Sequence, residues 1–143
     1  VAEMMEMDAA QVKDDKLRRN VIRTQALRLI RVRIINLDPD DAAVPGSMVT
    51  CYSKYTGKVS KYIPFGEENE HGYHIPKIIY DDLKARKFAV RKEVKKRGSS
   101  FGVKEYKTSW TNKFAIEDLP PLTASELKNL AAKQAASGSI DRK

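Results

Sequence analysis

The chain has 143 residues, of which 41% are hydrophobic and 32% charged, a balance typical of one folded domain and not of a disordered chain. Its 27 lysines and arginines exceed its 19 acidic residues and give a formal net charge of +8, so its field attracts anionic partners. A single cysteine excludes an internal disulfide and any zinc site with two thiolates. We expect neither a secretory signal nor a membrane span, because no apolar run approaches the roughly 20 residues that cross a bilayer.

The charge lies in blocks along the chain. Residues 1–15 carry a net charge of −4, and residues 16–37 carry +7 without a single acid. Residues 38–82 return to −4, and residues 83–113 reach +9. Nearly all of the positive excess therefore lies in two segments, and we find no internal repeat of solenoid length.

The N-terminal segment 1–27 is predicted to be a helical or extended arm outside the core. Its first 20 residues have helix-forming composition but no continuous apolar stripe. Its methionines could adapt to an irregular surface of a neighbour, and its arginines could contact acidic groups there. The alternative interpretation of this segment is a frayed terminus. The candidate partner-binding residues of the arm are Met4, Met5, Met7, Arg18, Arg19 and Arg23.

From about residue 28 the hydrophobic period becomes two, which is typical of a strand. Ile30, Val32 and Ile34 alternate with arginines, so we predict a half-buried strand. Two further β-rich runs, residues 49–55 and 58–63, predict a hairpin. A three-residue turn fits burial better than a two-residue turn, because it places four apolar side chains on one face: Val49, Cys51, Val59 and Ile63.

A short helix is predicted next. Pro76 suits its first turn, since the missing N–H needs no partner there. Ile75, Ile79 and Leu83 recur with helical spacing, and the pattern continues to about Lys87.

Two strands and a basic connection are predicted after this helix. Residues 88–90 form the first strand, and residues 91–102 form a basic loop or hairpin tip. Residues 106–116 form the second and clearest strand, in which six side chains share one face: Tyr106, Thr108, Trp110, Asn112, Phe114 and Ile116.

The C-terminal segment 120–143 contains the most specific local signal. Pro120 and Pro121 end the sheet, and Thr123 with Glu126 three residues later is a capping box for a helix from Ala124 to about residue 136. Its narrow apolar face gives two more candidate partner-binding residues, Leu127 and Leu130. The predicted fold is therefore a β-rich α+β domain over residues 28–119, a small antiparallel sheet or sandwich with one embedded short helix, between an N-terminal arm and a C-terminal helix.

Residues that could carry catalysis or bind a metal are few. The loop that contains His71 and His74 has ligand-type side chains but not the spacing of a helical zinc motif, so we interpret it as a solvated acidic loop. The acidic group around Pro39 fits turn chemistry better than a calcium loop. Cys51 lies in a predicted strand, where a thiol is usually a small buried hydrophobe. We therefore predict no enzyme activity, no metal and no cofactor. The loop's candidate ligands are Glu67, Glu68, Glu70, His71 and His74, and the turn acids are Asp38, Asp40 and Asp41.

A basic patch is the other candidate site. Residues 84–97 contain eight cations against one acid, Glu93, and aromatic side chains on neighbouring predicted strands would allow bases to stack. The alternatives are contact with an acidic protein surface or plain solvation. The patch residues are Lys92, Lys95, Lys96 and Arg97, and the aromatic residues are Tyr52, Tyr55, Tyr62, Tyr106 and Trp110.

The middle of the chain resembles the small virion-associated structural proteins of short-tailed bacteriophages. The resemblance covers residues 28–121: a charged strand that ends in Asn36-Leu-Asp38, a hairpin, a helix with the pattern G-x-x-x-P-x-x-I-x-x-x-L from Gly72 to Leu83, and a last strand with a proline-rich exit. The N-terminal arm and the Thr123 helix lie outside that pattern.

This resemblance implies a non-enzymatic virion structural or assembly protein. Such a protein would be present in several copies, either as a decoration or auxiliary protein on the capsid or as a connector at the head–tail junction. Its expected partners are capsid, portal or neck subunits, with contact between the basic loop and packaged DNA. The alternative function is a basic nucleic-acid-binding module.

Overall fold

The computed structural model describes residues 1–66, 69–94 and 104–138. Within those residues the chain forms four α-helices, a short 3-10 helix at Pro39–Asp41 and seven strands. In chain order the helices and strands are α1 Ala2–Glu6, α2 Asp15–Leu27, β1 Leu29–Asn36, β2 Gly46–Ser53, β3 Gly57–Pro64, β4 Tyr73–Pro76, α3 Lys77–Ala85, β5 Lys87–Val94, β6 Glu105–Asn112, β7 Phe114–Asp118 and α4 Ala124–Ala136.

The central sheet has three antiparallel strands in the order β4-β1-β7. The predicted alternation along β1 is confirmed, because Val32 and Ile34 are buried while Arg33 is exposed. The short strand β4 was not predicted, since the single polar residue His74 among Tyr73, Ile75 and Pro76 gives no recognisable alternation. Its pairing with β1 completes one edge of the sheet.

The predicted hairpin is formed by β2 and β3, and its three-residue turn is confirmed. Ser53 pairs with Gly57, and Cys51 pairs with Val59, so Val49 and Ile63 lie on the same face and are buried. Gly57 has a φ of 72°, a conformation that side-chain-bearing residues rarely adopt. The opposite face of the hairpin is exposed.

The core lies where β1, β4 and β7, the inner face of the β2–β3 hairpin and α3 meet. Ile79 and Leu83 of α3 have no exposed surface, as the helical spacing predicts. Ile75 is completely buried as well, but it belongs to β4 and not to the helix, which corrects that part of the prediction. Pro76, however, ends β4 and is the N-cap of α3 instead of a residue of its first turn, and the helix ends at Ala85, two residues before the predicted end. The predicted α+β fold class with a small antiparallel sheet and terminal helices is confirmed.

The prediction of one strand over residues 106–116 is wrong, because the chain bends at Lys113 and passes from one sheet to another. The Lys113 N–H donates to the Arg86 carbonyl, and the Lys113 carbonyl accepts from the Leu37 N–H. β6, before the bend, pairs only with β5 in a separate sheet, whereas β7 pairs with β1. Alternation of side chains continues across the bend, so the pattern alone could not reveal it.

The paired strands β5 and β6 are called the ribbon below. Every residue of β6 is exposed, and in β5 only Phe88 and Val90 are half-buried. A two-stranded ribbon of this kind is marginally stable without further packing. The strand predicted at residues 88–90 is confirmed and extends over Lys87–Val94, so Arg91–Val94 belong to a strand and not to a loop.

The N-terminal arm does not lie wholly outside the core, which corrects the prediction for residues 1–27. α2 begins after Asp14, whose carboxylate accepts from the N–H groups of Lys16 and Leu17. Val21 of α2 is completely buried, and α2 contacts α3. Val21 is the only residue of α2 that is fully buried, and its apolar neighbours in the sequence do not extend one continuous stripe, so the pattern was too weak to predict this packing.

The C-terminal helix α4 begins with the predicted capping box, which is confirmed: Thr123 accepts from the Glu126 N–H, and the Glu126 carboxylate accepts from the Thr123 N–H. None of the 13 residues of α4 is buried. In the described parts of the chain, no helix is long and apolar enough to cross a membrane.

Candidate functional site

A cleft lies between α2 and the turn of the β2–β3 hairpin. We call it the basic cleft. It has a volume of about 550 Å³, and its lining residues are Asp15, Arg18, Arg19, Ile22, Lys54 and Tyr55. Arg18 and Arg19 are successive residues of α2, and the hairpin turn brings Lys54 to the same cleft. The sequence predicts the two arginines as partner-binding residues but gives no sign that Lys54 joins them.

The charge of the basic cleft is not balanced within the described residues. Arg18, Arg19 and Lys54 form no ion pair there, although Asp15 also lines the cleft. The Lys54 ammonium lies 4.9 Å from the centroid of the Tyr55 ring, within the range of a cation–π contact. Arg23, the third predicted arginine, is exposed on α2 but does not line the cleft.

The N-terminal methionines are partly used inside the chain. The Gln25 side-chain amide donates to the carbonyls of Met4 and Met7, at 3.3 and 2.6 Å, and the Thr24 hydroxyl lies 3.8 Å from the Met4 sulfur. These contacts fasten α1 to α2 and leave Met4 and Met7 half-buried. Met5 remains 37% exposed, so of the three it offers the most surface to a partner.

A second groove lies between α4 and the segment that enters β4. It has a volume of about 310 Å³, and Arg31, His71, His74 and Leu130 are among its lining residues. Arg31 donates to the carbonyls of Pro120 and His71, at 3.0 and 2.6 Å, and thereby joins the start of the C-terminal segment to the loop before β4.

The predicted apolar face of α4 lies partly against this groove. Leu130 is half-buried, whereas Leu127 is 47% exposed. The capping box stabilises the first turn of α4, Arg31 fixes the segment before the helix at Pro120, and most of the helix surface is exposed.

The basic patch predicted around residues 92–97 is described only in part. Lys92 lies on β5 and is exposed, while Lys95, Lys96 and Arg97 lie outside the described residues. Lys92 stands directly opposite Lys107 of β6. Like charges in such a cross-strand pair repel each other and destabilise the pair.

The predicted aromatic residues do not form one surface, which corrects the expectation of a single stacking sheet. Tyr52 and Tyr62 lie on the outer face of the β2–β3 hairpin, and Tyr106 and Trp110 lie on the ribbon, which is a different sheet. Tyr55 lies in the hairpin turn at the basic cleft. The reason is that the β2–β3 hairpin and the ribbon each form a two-stranded sheet of their own, and neither pairs with the other or with the central sheet.

The loop with the two histidines shows no metal-binding arrangement in its described part. His71 and Glu70 are exposed, Glu67 and Glu68 lie outside the described residues, and no group of three potential ligands occurs in the part of the chain that is described. His74 is half-buried, and burial together with the charges of Arg31 and Lys61 lowers its pKa. Its imidazole is therefore neutral near pH 7.

The turn acids act within the fold. Asp38 accepts from the Asp40 N–H, and the Lys113 ammonium lies 3.3 Å from an Asp38 carboxylate oxygen and 2.6 Å from one of Asp41. These contacts hold the turn against the bend at which the ribbon begins. The interpretation of the acids as turn residues is confirmed, and their pairing with Lys113 is an addition that the sequence did not reveal.

Cys51 is half-buried on the inner face of the hairpin. Burial, followed by the charge of Asp82, raises the pKa of its thiol. A raised thiol pKa reduces the fraction of thiolate and makes the sulfur a poor nucleophile.

Similarity to known proteins gives no further guide to these surfaces. No protein-family model, no curated protein sequence and no solved structure matches the chain.

Proposed function

We propose that the protein is a non-enzymatic structural or assembly component of a bacteriophage virion, attached at the capsid surface or at the head–tail junction and present in several copies. The observation that carries this proposal is the amount of regular structure that contributes nothing to the protein's own core. α4 has no buried residue, and the ribbon has only two that are half-buried. Such elements become well ordered when a neighbour covers them.

Physical estimates support the need for neighbours. Isolated helices of about 13 residues are marginal in water, and two-stranded ribbons are marginal as well. α4 and the ribbon therefore gain stability in proportion to the surface that another subunit buries. An assembly of many copies supplies this surface, and each copy contributes its extended elements to the next.

The basic cleft supports the same proposal. Its three cations have no acidic partner in the described residues, and the cleft is open to solvent. An acidic segment of a capsid, portal or neck subunit would be attracted to it, and a charge-assisted hydrogen bond contributes about 1.5–3 kcal/mol.

The resemblance to virion-associated proteins of short-tailed phages supports the choice of assembly. The residues that carry it have structural roles in this chain: Gly72 has a φ of 91°, Pro76 caps α3, and Leu83 is buried. The shared pattern thus concerns the core that carries the exposed elements. It concerns no catalytic group.

The test uses charge reversal in the basic cleft during phage infection. The phage gene is interrupted, a tagged copy is supplied from a plasmid, and the protein in gradient-purified particles is quantified by mass spectrometry. We expect the unaltered protein in particles at a fixed number of copies, and we expect the double variant Arg18→Glu, Arg19→Glu to be depleted at least tenfold.

The matched control is Lys16→Glu with Arg23→Glu, which makes the same change in net charge on the same helix, at exposed residues outside the cleft. It should be incorporated normally, and urea unfolding should show that all variants fold. Absence of the unaltered protein from particles would refute the virion proposal. Equal incorporation of all variants would refute the role of the cleft.

A further inference from the structure

The ribbon presents its two large aromatic residues on one face. In the β5–β6 register, Trp110 stands opposite Ala89, and Tyr106 stands opposite Glu93. These pairs alternate with the pair Arg91–Thr108, so all of them share a face. We call it the aromatic face of the ribbon. Trp110 is 69% exposed and Tyr106 is 53% exposed, which is unusual for residues of this size.

Nothing in the described chain covers the Trp110 ring. Its cross-strand neighbour is Ala89, whose methyl group is too small to pack over an indole. Tyr106 is contacted by Arg91, whose guanidinium carbon lies 5.4 Å from the ring centroid, within the range of a cation–π contact. The two aromatic residues are four positions apart on one strand, a distance of about 13 Å. One face therefore offers two separated flat rings with a cation between them.

The other face of the ribbon carries a small net positive charge in its described residues, from Lys92 and Lys107 against Glu105. Lys92 and Lys107 stand directly opposite each other, in an arrangement that destabilises the ribbon unless an anion lies between or beside them. The ribbon is only two strands wide, so these long side chains can reach its edges. By sequence, residues 87–112 carry a net charge of +6.

A ligand that matches both the exposed aromatic rings and the lysines is an extended polyanion that carries flat, unpaired rings. Phosphates neutralise the lysines, and bases stack on the exposed aromatic rings. Such stacking adds affinity but little sequence selectivity, because every base has a flat face. Duplex nucleic acid keeps its base faces stacked inside the helix, so it leaves Trp110 and Tyr106 unused. An acidic protein segment pairs with the lysines but offers no regular series of flat rings.

We propose that the ribbon is a binding site for single-stranded nucleic acid, in which bases stack on Trp110 and Tyr106 while Arg91, Lys92 and Lys107 contact phosphates. This site shares no residue with the basic cleft, so its test is separate from the charge-reversal test of the virion proposal. A protein absent from particles can still bind single strands, and one present in them can fail to bind.

The test uses the intact chain with fluorescein-labelled dT20, a 20-base-pair duplex and polyglutamate as probes. Trp110 is the only tryptophan, so its intrinsic fluorescence reports stacking at this site directly, without any substitution. We expect dT20 to quench this fluorescence with the same concentration dependence as the anisotropy of the probe. The duplex and polyglutamate should not quench it.

Variants then separate stacking from charge. Trp110→Ala should weaken dT20 binding about 5- to 150-fold, the range measured for loss of one base–aromatic stack. The matched control Tyr52→Ala removes an aromatic side chain that is 78% exposed on the other hairpin, and it should change affinity less than twofold. Lys92→Gln with Lys107→Gln should reduce the slope of log affinity against log salt by about 1.4, because each phosphate contact on a single strand contributes about 0.7.

Three results would overturn the proposal. The first is dT20 binding without quenching of Trp110, and the second is an equal loss of affinity in Tyr52→Ala. The third is duplex or polyglutamate binding as tight as dT20 binding, which would assign the ribbon to duplex DNA or to an acidic protein surface.

Discussion

Gly72 lies where the loop before β4 meets the C-terminal segment, and substitution by alanine tests how that contact holds the fold. Gly72 has a φ of 91°. A Cβ added to it would lie 2.7 Å from a Leu119 methyl carbon and 2.8 Å from the Arg31 Nε atom. Gly72→Ala therefore imposes a strained backbone and displaces the arginine that bonds to Pro120 and His71.

The expected loss of stability has two parts. An alanine in a left-handed conformation costs about 1–2 kcal/mol. Moving Arg31 removes two hydrogen bonds, each of which contributes about 0.5–1.5 kcal/mol at a site open to solvent. The sum is about 2–5 kcal/mol, a large part of the 5–15 kcal/mol that stabilises a typical domain.

Two glycines give matched controls for the assay, which is urea unfolding followed by circular dichroism. Gly57 has a φ of 72° but no atom within 4 Å of an added Cβ, so Gly57→Ala should cost only the strain of about 1–2 kcal/mol. Gly66 has neither a positive φ nor a close neighbour, so Gly66→Ala gives the baseline for reduced freedom of the unfolded chain.

The difference in unfolding free energy between Gly72→Ala and Gly57→Ala measures the contribution of the Arg31 contact. Gly72→Ala should exceed Gly57→Ala by about 1–3 kcal/mol, and this excess should shrink when Arg31→Met is already present, because the two sites are coupled. Equal effects of Gly72→Ala and Gly57→Ala would refute the account of the Arg31 contact.

Three further predictions concern the core, a charge pair and the thiol. Leu83→Ala should destabilise the fold by about 2–5 kcal/mol in urea unfolding, because the side chain is completely buried. Hydrogen bonding to Lys113 lowers the pKa of Asp41. The contact between Asp41 and Lys113 therefore contributes fully to folding stability above the unfolded-chain pKa of about 4, and its contribution is lost as the pH falls through the lower folded-state pKa. Lys113→Met should remove that part of the pH dependence, measured by unfolding between pH 2 and pH 6. Burial raises the pKa of Cys51, so a thiol reagent at pH 8 should modify it more slowly in the native chain than in urea.

The elements of the core could be predicted because their sequence periods match their burial. Val32 and Ile34 show the period of a strand, Ile79 and Leu83 show the spacing of a helix, and all four are buried. Ile75 fits the helical spacing only by coincidence, because it lies in β4. The turn of the β2–β3 hairpin was predictable for the same reason, since only one turn length places its apolar residues on one face. The α4 cap was predictable because a capping box is a local interaction within four residues.

The remaining features depend on contacts between distant parts of the chain. The bend at Lys113 follows from backbone hydrogen bonds to Leu37 and Arg86, which no local pattern around residues 106–116 could indicate. The basic cleft needs Lys54 beside Arg18, and these residues are far apart in sequence. Arg31 was predicted only as part of an exposed strand face, although it joins two loops through its guanidinium group.

The two proposed surfaces are built from separate elements, and this separation has a consequence that can be measured. The basic cleft belongs to α2 and the β2–β3 turn, and the stacking site belongs to β5 and β6. Substitutions that share no partner have additive effects, so Arg18→Glu with Arg19→Glu should quench like the unaltered chain when dT20 is added to both at about 0.15 M salt, where charges more than about 8 Å apart are largely screened. A protein that binds a neighbouring subunit and a nucleic-acid strand independently would bridge the two, whereas strong coupling between the variants would show that both surfaces serve one partner.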